Sequence, residues 1–283
     1  VTTRTHEIVV PDGRTLHVHD TGAAEAESDV VVIWHHGTPQ TGKPLASLVP
    51  TPGRRRVRCV SYDRPGYGAS APYRGRNVAS AAADVAAIAD ALGIETFATV
   101  GISSGGPHAL ACAALLPGRV TAAVTVAGPA PIDAEGLDWF ADMGEAASAR
   151  LRAGARGPAA VETHLRSAGF TTTEGLTLSD LVALSEDWCW MRSVADEAMA
   201  TGFPGVVDDV VSMVTPWGFS PAQVDVPVLL LHGARDRVVP TGHSEWLAQR
   251  LAKVELWLLP DDGHIAVLNS CAAALNWLVD SVG

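Results

Sequence analysis

The chain has 283 residues, 47% of them hydrophobic and 18% charged, with a formal net charge of −11. That apolar content at low charge excludes intrinsic disorder, and the length suits one large domain or two small ones. An acidic chain with no basic stripe excludes nucleic acid as a partner.

Taken in chain order, the first third alternates strands and helices. Residues 5–10 and 15–20 are strand-like runs around the turn Pro11-Asp12-Gly13, a hairpin signal. Residues 30–35 and 57–62 are strands, the first a continuous apolar run suited to burial on both faces. An Ala-rich helix is predicted over 77–92, from an Asn77 cap to Gly93 just past its end. A strand over 97–101 enters Ile102-Ser103-Ser104-Gly105-Gly106, helix follows to about Leu116, and residues 120–127 are a β-branched strand. Beyond Gly128-Pro129-Ala130-Pro131 the pattern turns helical over 133–225. It then returns to a strand at 226–232, a helix near 244–251, a strand at 254–259 and a helix near 267–282. Alternation of this kind implies a mainly parallel sheet with helices on both faces. The interruption predicts two regions: a core of residues 1–132 and 226–283, and an inserted helical cap over 133–225. The cap segment holds 15 acidic residues and 5 arginines, which accounts for nearly all of the net charge.

No apolar run approaches the ~20 residues of a membrane span. Residues 1–6 show no apolar signal segment, and Cys59, Cys112, Cys189 and Cys271 are scattered without metal-ligand or disulfide spacing. The cysteines read as buried small hydrophobes, and the expected location is the cytoplasm.

Gly101-Ile102-Ser103-Ser104-Gly105 fits the G-x-S-x-G pattern, with a strand before it and a helix after it. A nucleophile on so sharp a turn sits in a strained conformation, and side chains at the flanking positions would collide with the strand and helix. The turn also puts Ser103 at a helix N-terminus, which favours developing negative charge. Ser104 is the competing hydroxyl, but the glycine spacing selects Ser103. A serine needs a base, and the base an orienting acid. His264 follows the strand at 254–259 and Asp236 follows the strand at 226–232, both at C-terminal strand ends. Asp261 and Asp262 neighbour His264 and compete for the acid role, although adjacency does not aim a carboxylate at the ring.

The order Ser103, Asp236, His264 resembles that of the α/β-hydrolase-fold superfamily, in the branch of serine hydrolases with a helical cap. Further matches are His36-Gly37-Thr38-Pro39 and Asp63-Arg64-Pro65-Gly66-Tyr67-Gly68-Ala69-Ser70. The resemblance implies an eight-stranded, mainly parallel sheet flanked by helices and no cofactor. It implies an oxyanion hole formed by the backbone N–H groups of Thr38 and Ser104, and treats the second motif as a structural turn. The activity it implies is hydrolysis of a small-molecule carboxylic ester or lactone with an apolar acyl part, through an acyl-enzyme. A proline-iminopeptidase-like aminopeptidase is the alternative. Its motive is the acidic cap, and the small Ser104, where that branch carries a bulky aromatic, counts against it. A non-hydrolytic or binding member of the fold is the other class, and it would have no need of all three residues.

Other side chains take structural readings. His35 and His36 resemble a metal pair, but adjacent residues point apart, so no metal site is expected. His36 is expected to order its own loop and His108 to be a packed core histidine, while His243 shows no role. Among the cap's aromatics, Trp139, Trp188, Trp190 and Met191 are the expected pocket wall, the others forming the cap's own core. The sequence leaves the oligomeric state open.

Overall fold

A computed structural model describes residues 3–22, 30–43, 57–170, 173–200 and 202–282. The strands are β1 (Arg4–Val9), β2 (Thr15–Asp20), β3 (Val30–His35), β4 (Val57–Tyr62), β5 (Phe97–Ile102), β6 (Val120–Val126), β7 (Val228–Gly233) and β8 (Val254–Leu259). They form one eight-stranded sheet in the order β1-β2-β4-β3-β5-β6-β7-β8. β2 runs antiparallel to β1 and β4; every other pairing is parallel. All six parallel strands therefore send their C-termini to one edge.

The helices among the described residues are α1 (Ser80–Ala91), α2 (Gly105–Leu115), α3 (Glu145–Gly154), α4 (Pro158–Ala168), α5 (Leu178–Ser185), α6 (Met191–Met199), α7 (Pro204–Met213), α8 (Gly242–Ala248) and α9 (Cys271–Ser281). Helices α3 to α7 all fall between β6 and β7. None of the nine is long and apolar enough to cross a membrane.

Strand alternation builds two apolar layers. Ile33 and Leu230 face the layer shared with α1, α2 and α8, while Val32, Trp34, Leu229 and Leu231 face the layer shared with α9. β5 and β7 are buried at every position, as continuous apolar runs require.

Several boundaries depart from the sequence pattern for identifiable reasons. Asn77 does bond the N–H of Ser80, at 3.1 Å, but in a separate turn, so α1 starts three residues later than predicted. The Ser244 hydroxyl is turned to His232, 2.6 Å away, and α8 already begins at Gly242. The C-terminal helix is split: Ala266–Ser270 is a 3-10 turn and α9 begins only at Cys271. The N–H groups of Ile265 and Ala266 are taken by the Asp180 carboxylate, which fixes the chain where a longer helix would have begun. β7 starts after Pro227, which has no N–H to give a ladder.

Candidate active site

The strand-to-helix turn after β5 holds Ser103 at φ +52, a conformation in which non-glycine residues cost ~1–3 kcal/mol. The flanking glycines make the turn possible. A Cβ at Gly101 would overlap the backbone of Gly105, and one at Gly105 would overlap the His35 carbonyl. The turn is pinned by the Ser103 N–H to Val126 O bond (2.7 Å) and the Gly106 N–H to Ser103 O bond (2.9 Å).

Ser103 Oγ lies 3.1 Å from His264 Nε2, and His264 Nδ1 lies 2.7 Å from Asp236 Oδ2. A carboxylate only accepts, so Nδ1 carries the proton and Nε2 presents its lone pair to the serine hydroxyl. The other Asp236 oxygen accepts the N–H groups of Val238 (2.8 Å) and Val239 (2.9 Å). His232 Nε2 donates to Val239 O at 2.7 Å and lies 3.2 Å from Asp236 Oδ2. Burial opposes the charge on Asp236, but His264 and His232 outweigh it and hold the carboxyl well below the usual carboxylate range. Burial likewise disfavours the imidazolium of His264, yet the charge and hydrogen bond of Asp236 prevail and raise its pKa above 6.5.

The competing readings separate cleanly in space. Ser104 Oγ turns away from His264 and lies 2.7 Å from Thr38 Oγ1. That side-chain bond ties the Thr38 loop to the residue after Ser103. Asp261 pairs with exposed Arg235 at 2.8 Å, and neither it nor Asp262 bonds His264. His36 Nδ1 bonds Gly37 O (2.7 Å) and its Nε2 accepts the Arg64 N–H (3.0 Å), so it ties its own loop to the β4 turn. Burial, with the nearby Arg64 charge, pushes His35 and His36 down to about 3 and keeps both neutral. His108 is buried, and its Nδ1 bonds Ser104 O at 2.8 Å. His243 accepts the Ala130 N–H (3.1 Å) and packs edge-on to Trp139, which braces the loop after β6.

A cavity of about 480 Å³ opens over Ser103 and His264. Trp139 and Met191 line it; Trp188 and Trp190 do not. The Trp188 indole is buried and donates to Asn269 at 2.7 Å, with Trp190 packed against it at 5.6 Å. Cys189 between them is the residue that reaches the cavity. It is exposed, unlike Cys59, Cys112 and Cys271, and all four thiols are free.

Sequence reasoning missed four residues: Asp209, Asp180, His232 and Arg150. Asp209, on α7, is buried and bonded by Arg64 (2.6 Å), Arg76 (2.5 Å), the Tyr67 hydroxyl (2.8 Å) and the Thr38 hydroxyl. Burial alone would raise its carboxyl; the Arg64 and Arg76 charges outweigh that and hold it well below the usual range. Arg64 also bonds the carbonyls of His36 and Gly37, so the Asp-Arg-Pro-Gly turn holds the Thr38 loop. Asp180, on α5, accepts the N–H groups of Ile265 (2.7 Å) and Ala266 (2.8 Å) next to His264. His232 backs Asp236, and Arg150, on α3, lines the cavity. Two of these left a trace: Asp208-Asp209 interrupts an apolar helix, and Asp180 completes the Thr177 capping box. For metal chemistry, His17, His19 and Asp63 bring ligand atoms within 4.8 Å of one another. Asp63 is already bonded there by the Gly42 N–H (2.7 Å) and His19 (3.3 Å), a structural use of the same atoms.

The family model of the alpha/beta hydrolase fold matches residues 30–270. Over 247 residues the chain is 28% identical to a non-heme chloroperoxidase of Streptomyces lividans, covering 82% of this chain and 83% of that one. It is 28% identical over 222 residues to a pimeloyl-[acyl-carrier protein] methyl ester esterase of Nitrosomonas europaea, with 76% and 81% covered. The crystal structure of an esterase from Rhodococcus sp. ECU1013 superposes with a TM-score of 0.73 at 20% identity, over 99% of each chain. With its sheet order and its strand-end serine turn, the chain belongs to the alpha/beta hydrolase fold family.

Proposed function

We propose that this protein is a serine esterase and that Ser103, His264 and Asp236 are its catalytic triad. Ser103 Oγ attacks the ester carbonyl carbon while His264 Nε2 takes its proton. Asp236 keeps the ring in the required tautomer and stabilises the imidazolium. The backbone N–H groups of Thr38 and Ser104 hold the oxyanion, each worth ~3 kcal/mol in the transition state. The tetrahedral intermediate collapses, His264 protonates the departing alcohol, and an acyl-Ser103 ester remains. Water, deprotonated by His264, attacks that ester and releases the acid. Serine, substrate and water supply every atom, so the reaction needs no cofactor.

The observation that carries this reading is the serine at positive φ with its hydroxyl 3.1 Å from a histidine that is itself 2.7 Å from a buried carboxylate. We read α3 to α7 as a cap over the site, with apolar cavity residues such as Trp139, Met143 and Met213 suited to an apolar acyl chain. The four free thiols suit a reducing, cytoplasmic location. An aminopeptidase would need an uncommitted anion for the substrate amine. Asp209, the buried carboxylate at the cavity, is already neutralised by two arginines, and the charge of Glu174, the other carboxylate of the described wall, acts on Arg150, which together disfavour that alternative. The test is labelling with a serine-directed fluorophosphonate followed by peptide mass mapping. A single adduct on Ser103 is the expected result, and an adduct on any other residue overturns the assignment.

A further inference from the structure

One half-buried cation of the cavity has neither a hydrogen bond nor an ion pair among the described residues. Arg150 lines the same cavity as Ser103 and His264. Among the described residues its guanidinium donates no hydrogen bond and forms no ion pair; its close contact is the Phe170 ring, 4.2 Å from the guanidinium carbon to the centroid. Burial lowers it to about 10, with the Glu174 charge acting in the opposite sense, so it remains a cation at neutral pH. Its charge reaches the reacting centre, where it opposes protonation of His264.

The other charged groups of the wall are committed or on the solvent side. Asp209 is held by Arg64 and Arg76. Glu174 is exposed, and its Oε1 accepts the Ala146 N–H at 2.9 Å. Arg192, also exposed, has no ion-pair partner among the described residues. Outside the Asp209 network, the described wall of the cavity thus sets two arginines, Arg150 and Arg192, against one exposed carboxylate, Glu174, in a chain of net charge −11. Half-buried among Met143, Ala147, Leu151 and Phe170, a cation with no partner is costly unless something charged comes to meet it.

We propose that Arg150 binds a carboxylate of the substrate, so that the ester this enzyme hydrolyses is an acid ester with a free carboxylate several bonds from the scissile carbonyl. A single planar guanidinium matches one carboxylate in both charge and shape. A phosphate dianion would leave one negative charge unmatched. The proposal rests on the serine-esterase reading.

The experiment compares kcat/KM for monomethyl esters of straight-chain dicarboxylic acids with that for the dimethyl esters of the same acids. Wild type is expected to prefer the half-esters by about 10- to 100-fold, chiefly through KM, with an optimum at one chain length. In Arg150→Met the ratio should fall to about one. Arg150→Lys should retain part of it, because lysine keeps the charge and loses the fork. A wild-type preference for the dimethyl esters overturns the proposal, as does a ratio that Arg150→Met leaves intact. If wild type shows no preference and Glu174→Gln creates one, Glu174 already neutralises Arg150 and the proposal also fails. Should Arg150→Met not fold, wild type decides: the half-amides of the same diacids must inhibit hydrolysis of p-nitrophenyl acetate at lower concentration than the diamides. Fluorophosphonate labelling separates the two readings. No adduct on Ser103 removes the esterase reading, whereas labelling without a half-ester preference removes only the role of Arg150.

Discussion

The sheet and the helices between β6 and β7 contribute to the site in different ways. The sheet presents Ser103, Asp236 and His264 on three loops that leave the same edge, where parallel strands end together. The helical segment presents three buried aspartates, two of which bond parts of the site's frame. Asp180 takes the backbone beside His264, and Asp209 takes the arginine and threonine that hold the loop opposite. The segment's acidity is therefore of two kinds. Most of its carboxylates are exposed, whereas Asp180 and Asp209 are buried and act as struts. A charge total cannot separate the two; only partners can.

The largest effect that tests this contrast is on the sheet side. Ser103→Ala should lower kcat for p-nitrophenyl esters by about 10,000-fold or more while leaving the fold intact, since among the described residues Ser103 Oγ bonds only His264. A binding protein on this scaffold would keep its function in that variant, and retained binding without turnover in wild type would move the chain to that class. On the helical side, Asp209→Asn strips two buried arginines of their shared counter-charge. Urea denaturation should register a loss of about 3–5 kcal/mol. A loss below ~1 kcal/mol would mean that the network is loosely solvated and that α7 is not anchored through it.

Asp180→Asn is expected to be milder for stability and more telling for chemistry. It weakens the hold on the His264 loop and removes a negative charge that favours the imidazolium. kcat should fall by about 10- to 100-fold through misplacement of the base. The pH profile gives a second readout. His264 must be neutral to accept the serine proton, and its pKa is raised, so kcat/KM of wild type should rise with pH to a midpoint above 6.5. The Asp180→Asn midpoint should lie lower than that of wild type. A purely structural Asp180 would lower activity without moving the midpoint. Smallest of all, Trp188→Phe loses the indole bond to Asn269 and should cost about 1 kcal/mol with no change in acyl-length preference. A shifted preference would bring Trp188 back to the pocket wall.

Much of this molecule was legible in the sequence. Strands such as β3 and β7 are apolar runs bounded by turn residues, which leaves little choice of element, and β2, β3, β4 and β8 have the expected boundaries. The serine turn was legible because its glycines answer a steric demand of the backbone: a Cβ at Gly101 would meet Gly105 within the turn, and one at Gly105 the carbonyl of His35 at the end of β3. The preference for Asp236 over Asp261 and Asp262 rested on adjacency not aiming a carboxylate at the ring, and the carboxylate lying 2.7 Å from His264 Nδ1 is that of Asp236.

What only the tertiary structure decided concerns groups far apart in the chain. Arg64 and Asp209 are 145 residues apart, and Asp180 and Ile265 are 85 apart. Nothing in the local pattern tells a buried aspartate from a solvated one. The wall of the cavity was hidden for a related reason. Trp188 and Trp190 are among the largest apolar side chains nearby, yet which face they cover depends on how α5, α6 and the 3-10 turn after His264 pack together. Composition and periodicity determine which apolar residues are buried, because that burial follows from apolar area. They do not determine which buried residues meet, because that depends on how the elements pack in three dimensions. Arg150, without a hydrogen bond or ion pair among the described residues, is the clearest case: as a residue type it is one arginine among eighteen, and only its surroundings set it apart.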